Sequence, residues 1–178
     1  MSNSRDFGIC DTCGTSLAAR YTSFERLVER FAYDRTGNTP GEQATVTIIR
    51  MDMLGQYCDE KCAWPDAVLS LAERGLRHTG DGSGPIEPCA RCGGPVDLTR
   101  PHVAYQLMDQ TETRQPWLIS IQPHSSETLA YVCPRCDGDL AADEMNVPES
   151  EDELQPLGGV LQEAKPVAAM TDKNEVTP

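Results

Sequence analysis

Eight cysteines in four close pairs, Cys10/Cys13, Cys58/Cys62, Cys89/Cys92 and Cys133/Cys136, with none left over, constrain this chain more than any other feature of it. A CxxC pair places two sulfurs on one small cation from a single turn of backbone, and a second pair from a distant segment completes a tetrahedron. The pairs are separated by 44 residues in one half of the chain and 40 in the other. This order implies two four-thiolate sites, one of Cys10, Cys13, Cys58 and Cys62 and one of Cys89, Cys92, Cys133 and Cys136. Each is expected to hold one Zn2+.

The halves repeat beyond their ligands. Cys10-Asp-Thr-Cys13-Gly14 followed by Leu17 matches Cys89-Ala-Arg-Cys92-Gly93 followed by Leu98, and Tyr57 and Tyr131 precede the third ligand of each half by one and two residues. Duplication is the simplest history, with each half one structural unit. A glycine directly after the second cysteine suits a knuckle whose backbone needs a positive φ to turn its N–H groups toward the thiolates.

With 178 residues, 39% hydrophobic and only 6% aromatic, the chain has material for small domains and no large core. Units of this size need a staple, which makes the metal a folding requirement. Disulfides are the competing use of eight cysteines, but the first twenty residues lack the apolar run of a secretory signal and no 18-residue apolar stretch occurs anywhere. The expectation is a soluble cytoplasmic protein with reduced thiols.

The formal net charge of −13 is unevenly spread. Residues 137–178 carry 11 acidic and 2 basic side chains, leaving 17 acidic and 13 basic on the remainder. That remainder is nearly balanced, and all but one of its basic residues (Lys61) are arginine, a side chain suited to planar phosphate or carboxylate recognition. A coding bias explains the same preference equally well.

Four segments follow. Residues 5–77 form the first four-cysteine module, 78–88 a Gly/Pro-rich connector, 89–145 the second module, and 146–178 an acidic tail expected to be disordered. Within the tail, Leu154, Leu157, Val160 and Leu161 cluster beside acids and could serve as a docking peptide. In the first module Ala44 to Arg50 reads as a strand. Tyr21 to Tyr33 is ambiguous, because Phe24, Leu27, Val28 and Phe31 sit at helical spacing and Thr22 with Glu25 resembles a capping box. A strand is preferred because the equivalent segments of the second module, 102–108 and 117–121, read as strands. After Cys62, the spacing of Trp64, Val68, Leu71 and Ala72 predicts a helix with Pro65 in its first turn and Gly75 at its end. A weaker helical start follows Cys136.

Knuckle, hairpin, second thiolate pair and helix together resemble tandem zinc-ribbon or treble-clef modules over about residues 8–145. The resemblance implies a small, metal-stabilised α+β fold. That fold group includes nucleic-acid readers, ribosomal parts, nucleases and protein-docking modules, so fold alone does not select among them. The CxxxC spacing of Cys58 and Cys62 departs from the pattern. Cys133-Pro-Arg-Cys136 opposite a CxxCG also resembles rubredoxin, which would substitute iron and electron transfer.

Catalysis is not expected. Four thiolates leave no open metal position, His78, His102 and His124 lack ligand spacing to one another, and no phosphate loop or nucleophile elbow is present. The leading expectation is a non-enzymatic adaptor or assembly factor with a protein partner. The alternative is a nucleic-acid-binding regulator using Arg20, Arg26, Arg30, Arg35 and Arg50, although Glu25 and Glu29 interleave with them and dilute the positive charge. The discriminating feature is whether those arginines converge on one surface or pair with acids.

Overall fold

The structure is a computed structural model and describes residues 7–33, 44–80, 84–115 and 117–138. The second module's expected helix after Cys136, Arg35 and the acidic tail lie outside the described residues, apart from the first two residues after Cys136. The segment Arg20–Tyr33 is a strand, β1. Its helix-like periodicity arises because residues 21–29 are buried on both faces, which erases the alternation of a one-sided strand. β1 lies in the middle of a sheet, with Ala44–Tyr57 (β2) on one side.

The end of the expected connector is itself a strand, Ile86–Pro88 (β3), paired with Pro95–Asp97 (β4) of the second module, which also supplies a long hairpin of His102–Gln115 (β5) and Leu118–Val132 (β6). The long strands form one antiparallel sheet in the order β2-β1-β5-β6. The two modules therefore share a sheet through their first strands, with Arg20 opposite Thr111 and Glu29 opposite His102.

Both hairpins carry β-bulges at equivalent places. In the first the register shifts between Phe24 and Glu25 and again between Val28 and Glu29, leaving Leu54 and Ile49 as the extra residues of β2. In the second it shifts between Tyr105 and Gln106 and between Asp109 and Gln110, with Leu129 and His124 as the extras of β6. One displacement carries both break points of β1 onto those of β5. The duplication thus extends through the hairpins, and the β1–β5 pairing relates the copies by an approximate two-fold axis.

Glu60–Glu73 forms the helix α1, packed against β1, β2 and β5. Asp59 caps it by accepting from the Cys62 N–H at 3.0 Å, an interaction that also anchors a ligand cysteine in the first turn. Gly75, at φ 67°, ends it in a Schellman motif: its N–H donates to Ala72 at 2.9 Å and Leu76 N–H to Leu71 at 2.9 Å, with Leu71 and Leu76 both buried. Two expectations need correction. The buried stripe is Ala63, Ala67 and Leu71, while Val68 and Ala72 are exposed, because small alanines let the helix approach a densely packed sheet. Pro65 lies inside the helix rather than in its first turn, since the cap falls as early as Asp59.

Gly55 and Tyr57 show how the helix is registered on the sheet. A Cβ at Gly55 would collide with the Tyr57 ring and hydroxyl. The vacancy lets the buried ring lie along its own strand, where its hydroxyl donates to Asp66 of α1 at 2.5 Å.

Candidate metal centres

Each centre begins with a knuckle. In the first, Ile9 bridges Ser16, Cys10 N–H donates to the Thr15 carbonyl at 2.8 Å, and Gly14 N–H donates to the Cys10 carbonyl at 2.9 Å. In the second, Cys89 N–H donates to Gly94 at 2.7 Å and Gly93 N–H to Cys89 at 2.8 Å. Gly14 and Gly93 both have the expected positive φ, 70° and 73°. Each knuckle is tied to the strand that delivers the third ligand, by Asp11 N–H to Gln56 at 2.9 Å and by Ala90 N–H to Tyr131 at 2.8 Å. The buried counterpart of Leu17 proves to be Val96 of β4 rather than Leu98, because it stands at the same distance from the first cysteine and faces the same interior.

The sulfurs of Cys10, Cys13, Cys58 and Cys62 all lie within 4.8 Å of one another, and so do those of Cys89, Cys92, Cys133 and Cys136. Individual separations include 3.8 Å for Cys13 to Cys58, 3.4 Å for Cys58 to Cys62 and 4.0 Å for Cys92 to Cys133. A tetrahedral ion with metal–sulfur bonds of about 2.3 Å requires sulfurs about 3.8 Å apart. The two groups fit such an ion, and all eight cysteines are free of disulfides. Four thiolates would saturate it.

The electrostatics lead to the same conclusion. Hydrogen bonds from Thr15, side chain first and then backbone, lower the Cys13 pKa to about 6. Burial raises that of Cys89, but backbone N–H groups of Cys133, Cys92 and Arg91 overcome it and bring the thiol to about 6. Cys62 is pushed up to about 12, chiefly by its contact with Cys58, and Cys136 to about 12, chiefly by Cys133. Sulfurs this close cannot all ionise without a cation between them, and a divalent metal removes that conflict.

Sequence reasoning missed the residues that support the ligands. Thr12 Oγ1 donates to the Cys62 carbonyl at 2.8 Å, and Arg91, at the equivalent place between Cys89 and Cys92, donates from Nη1 to the Cys136 carbonyl at 2.8 Å. In both centres, the residue inside the first CxxC holds the fourth ligand. Arg91 also donates from Nη2 to the Arg74 carbonyl at 2.7 Å, capping the end of α1. The helix therefore starts on the first centre and ends on the second. No repetition of residue type announced this role, because threonine and arginine perform it by different reach.

Three of the five candidate arginines pair with acids, whereas Arg30 makes no ion pair among the described residues and Arg35 lies outside them. Arg20 pairs with Asp109, Arg50 with Asp52 at 2.9 Å, and the buried Arg26 with Asp52 at 2.9 Å and Asp137 at 2.6 Å. The histidines are engaged elsewhere: His78 packs edge-on to Trp64, His102 against Phe31 and Tyr131, and His124 bonds Thr111. Among the described residues no helix is long and apolar enough to cross a membrane. Comparison with family models, with curated proteins and with solved structures finds no match to this chain.

Proposed function

We propose that this chain is a non-enzymatic cytoplasmic adaptor or assembly factor, built of two zinc-ribbon or treble-clef-like modules whose zinc ions rigidify a shared sheet for binding a protein partner. The observation that carries this reading is the pairing of Arg20, Arg26 and Arg50 with Asp109, Asp52 and Asp137. Arginines committed to carboxylates are poorly placed to release counterions from a nucleic-acid backbone. By contrast, both edge strands expose apolar side chains, Val46, Ile48, Met51 and Met53 on β2 and Leu118, Ile119 and Ile121 on β6. Contiguous exposed apolar surface is characteristic of protein-interaction sites.

Zinc is the proposed metal because it favours closed four-thiolate tetrahedra. The test is elemental analysis by native mass spectrometry on protein purified without added metal, followed by titration with mixed DNA and RNA at two salt concentrations, with and without residues 146–178. Two zinc ions and no nucleic-acid binding in either form is the expected result. Salt-sensitive nucleic-acid binding would overturn the adaptor reading, and iron would replace it with electron transfer.

A further inference from the structure

A cavity of about 540 Å³ opens on the sheet face opposite α1. It is bounded by Val46 and Ile48 of β2 on one side and by Pro123 to Ser126 of β6 on the other, with Glu29, Gln106 and Tyr131 among its lining. Its volume falls within the range of ligand pockets, about 300–1,000 Å³.

Glu29 is only 4% exposed, and among the described residues no lysine or arginine lines the space. A buried carboxylate is costly unless a counter-charge or hydrogen bonds compensate it. His102 Nε2 stands 3.6 Å from Glu29 Oε1, an ion-pair contact that compensates the carboxylate when the ring is protonated and leaves Glu29 without a hydrogen-bonded counter-charge when it is neutral. Its other ring nitrogen, Nδ1, donates to the Arg100 carbonyl at 2.9 Å, a hydrogen bond that leads away from Glu29. Phe31 stacks on the His102 ring at 5.7 Å and Tyr131 tilts against it at 5.7 Å, while both Phe31 and Tyr131 line the cavity. Aromatic faces beside a carboxylate attract organic cations.

We propose that this cavity receives a lysine or arginine side chain from an extended partner segment lying along β2, an inference that rests on the adaptor reading. Two observations favour a peptide. Among the described residues β2 is an edge strand, and apart from Gln56, whose backbone is bonded to Asp11, one side of its ladder has no strand partner. Val46, Ile48, Met51 and Met53 also form an exposed apolar row pairing with Phe31, Glu29, Leu27 and Glu25, which continues the cavity along the same face. The cavity supplies charge specificity and the row supplies apolar contact.

The experiment uses the full metal-loaded chain and blocked heptapeptides of alternating threonine and valine with a central lysine or, as a neutral control, norleucine. Calorimetry gives affinity, and the Phe31 and Tyr131 ring resonances report the place of binding. Saturable binding of the lysine peptide, weakened at least tenfold by norleucine and by Glu29→Gln, is the expected result. Ile48→Lys, at an exposed rim position, fills the site with its own ammonium group and serves as a second blocking variant should Glu29→Gln disturb the fold. Equal affinity for both peptides, no binding, unmoved ring resonances, or n-butylammonium binding as tightly as the peptide would overturn the proposal. A protein partner captured equally by wild type and Glu29→Gln would also overturn it while leaving the adaptor reading intact.

Discussion

Glu25 lies directly opposite Gln106 across the β1–β5 pairing, and the bulge positions make these two residues the same site of the two repeats. The approximate two-fold axis therefore passes between a carboxyl and an amide, both buried. Divergence at this position leaves one carboxyl on the axis instead of two facing each other. Ser23 Oγ donates to Glu25 Oε1 at 2.6 Å, while Oε2 has no hydrogen-bond partner. Burial raises the Glu25 pKa, and the serine bond offsets this only in part.

Glu25→Gln is expected to stabilise the protein at neutral pH. The folded pKa is raised, so the acid's favourable contribution is complete below the unfolded value of about 4.3 and is lost as pH rises through the folded value. The amide keeps an acceptor for Ser23 and carries no charge. A gain on the order of 1 kcal/mol at pH 7, vanishing toward pH 4, should appear in urea denaturation across that range. A pH-independent difference would show that burial of charge at Glu25 is not the cause.

Removal of metal from one centre should weaken both modules together. The shared β1–β5 pairing and the Arg91 connection between Arg74 and Cys136 leave neither hairpin structurally separate. Structural zinc contributes roughly 10–16 kcal/mol of apparent folding free energy in small zinc domains. Cys133→Ser should therefore lower the melting temperature of the whole protein and leave one calorimetric transition. Two resolved transitions, the first-module one unchanged, would mean that the modules fold independently.

The two cysteine clusters, the long strands and the main helix were legible because cysteine spacing and local periodicity are written within short stretches. The pairing of β1 with β5 was not, since it joins Arg20 to Thr111 and depends on burial of both faces of β1. Bulges at Phe24/Glu25 and Tyr105/Gln106 carry no common residue type, so the internal symmetry emerges only from register. The α1 stripe was misplaced because alanine is a weak signal in a hydrophobicity pattern, although Ala63 and Ala67 are fully buried. Arg91 was invisible as a cap because its two acceptors, Arg74 and Cys136, are backbone carbonyls remote in sequence.

Gly55→Ala should destabilise the protein by about 1–3 kcal/mol, the usual cost of overpacking. The new methyl occupies space taken by the Tyr57 ring and would break its 2.5 Å contact with Asp66. Chemical denaturation of Gly55→Ala, Tyr57→Leu and the double variant separates collision from backbone effects. The double variant should show a strong favourable coupling; purely additive losses would assign the role of Gly55 to its backbone alone.

Two ion pairs of similar appearance should differ widely in worth. Arg20 and Asp109 are exposed to water at 66% and 27% of their side chains, where solvent screening leaves such a pair little net worth. Arg26 and Asp137 are 6% and 7% exposed, and Asp137 directly follows the ligand Cys136. Removing a buried guanidinium leaves its carboxylate in a poorly solvated place, at a typical cost of about 3–5 kcal/mol. Arg26→Met should therefore lose several times the stability of Arg20→Met in urea denaturation. It should also speed chelator-induced loss of the second centre's metal, because Arg26 ties the chain after Cys136 to β1. Equal stability losses in the two variants, with unchanged metal release, would reduce the Arg26 contacts to incidental surface chemistry.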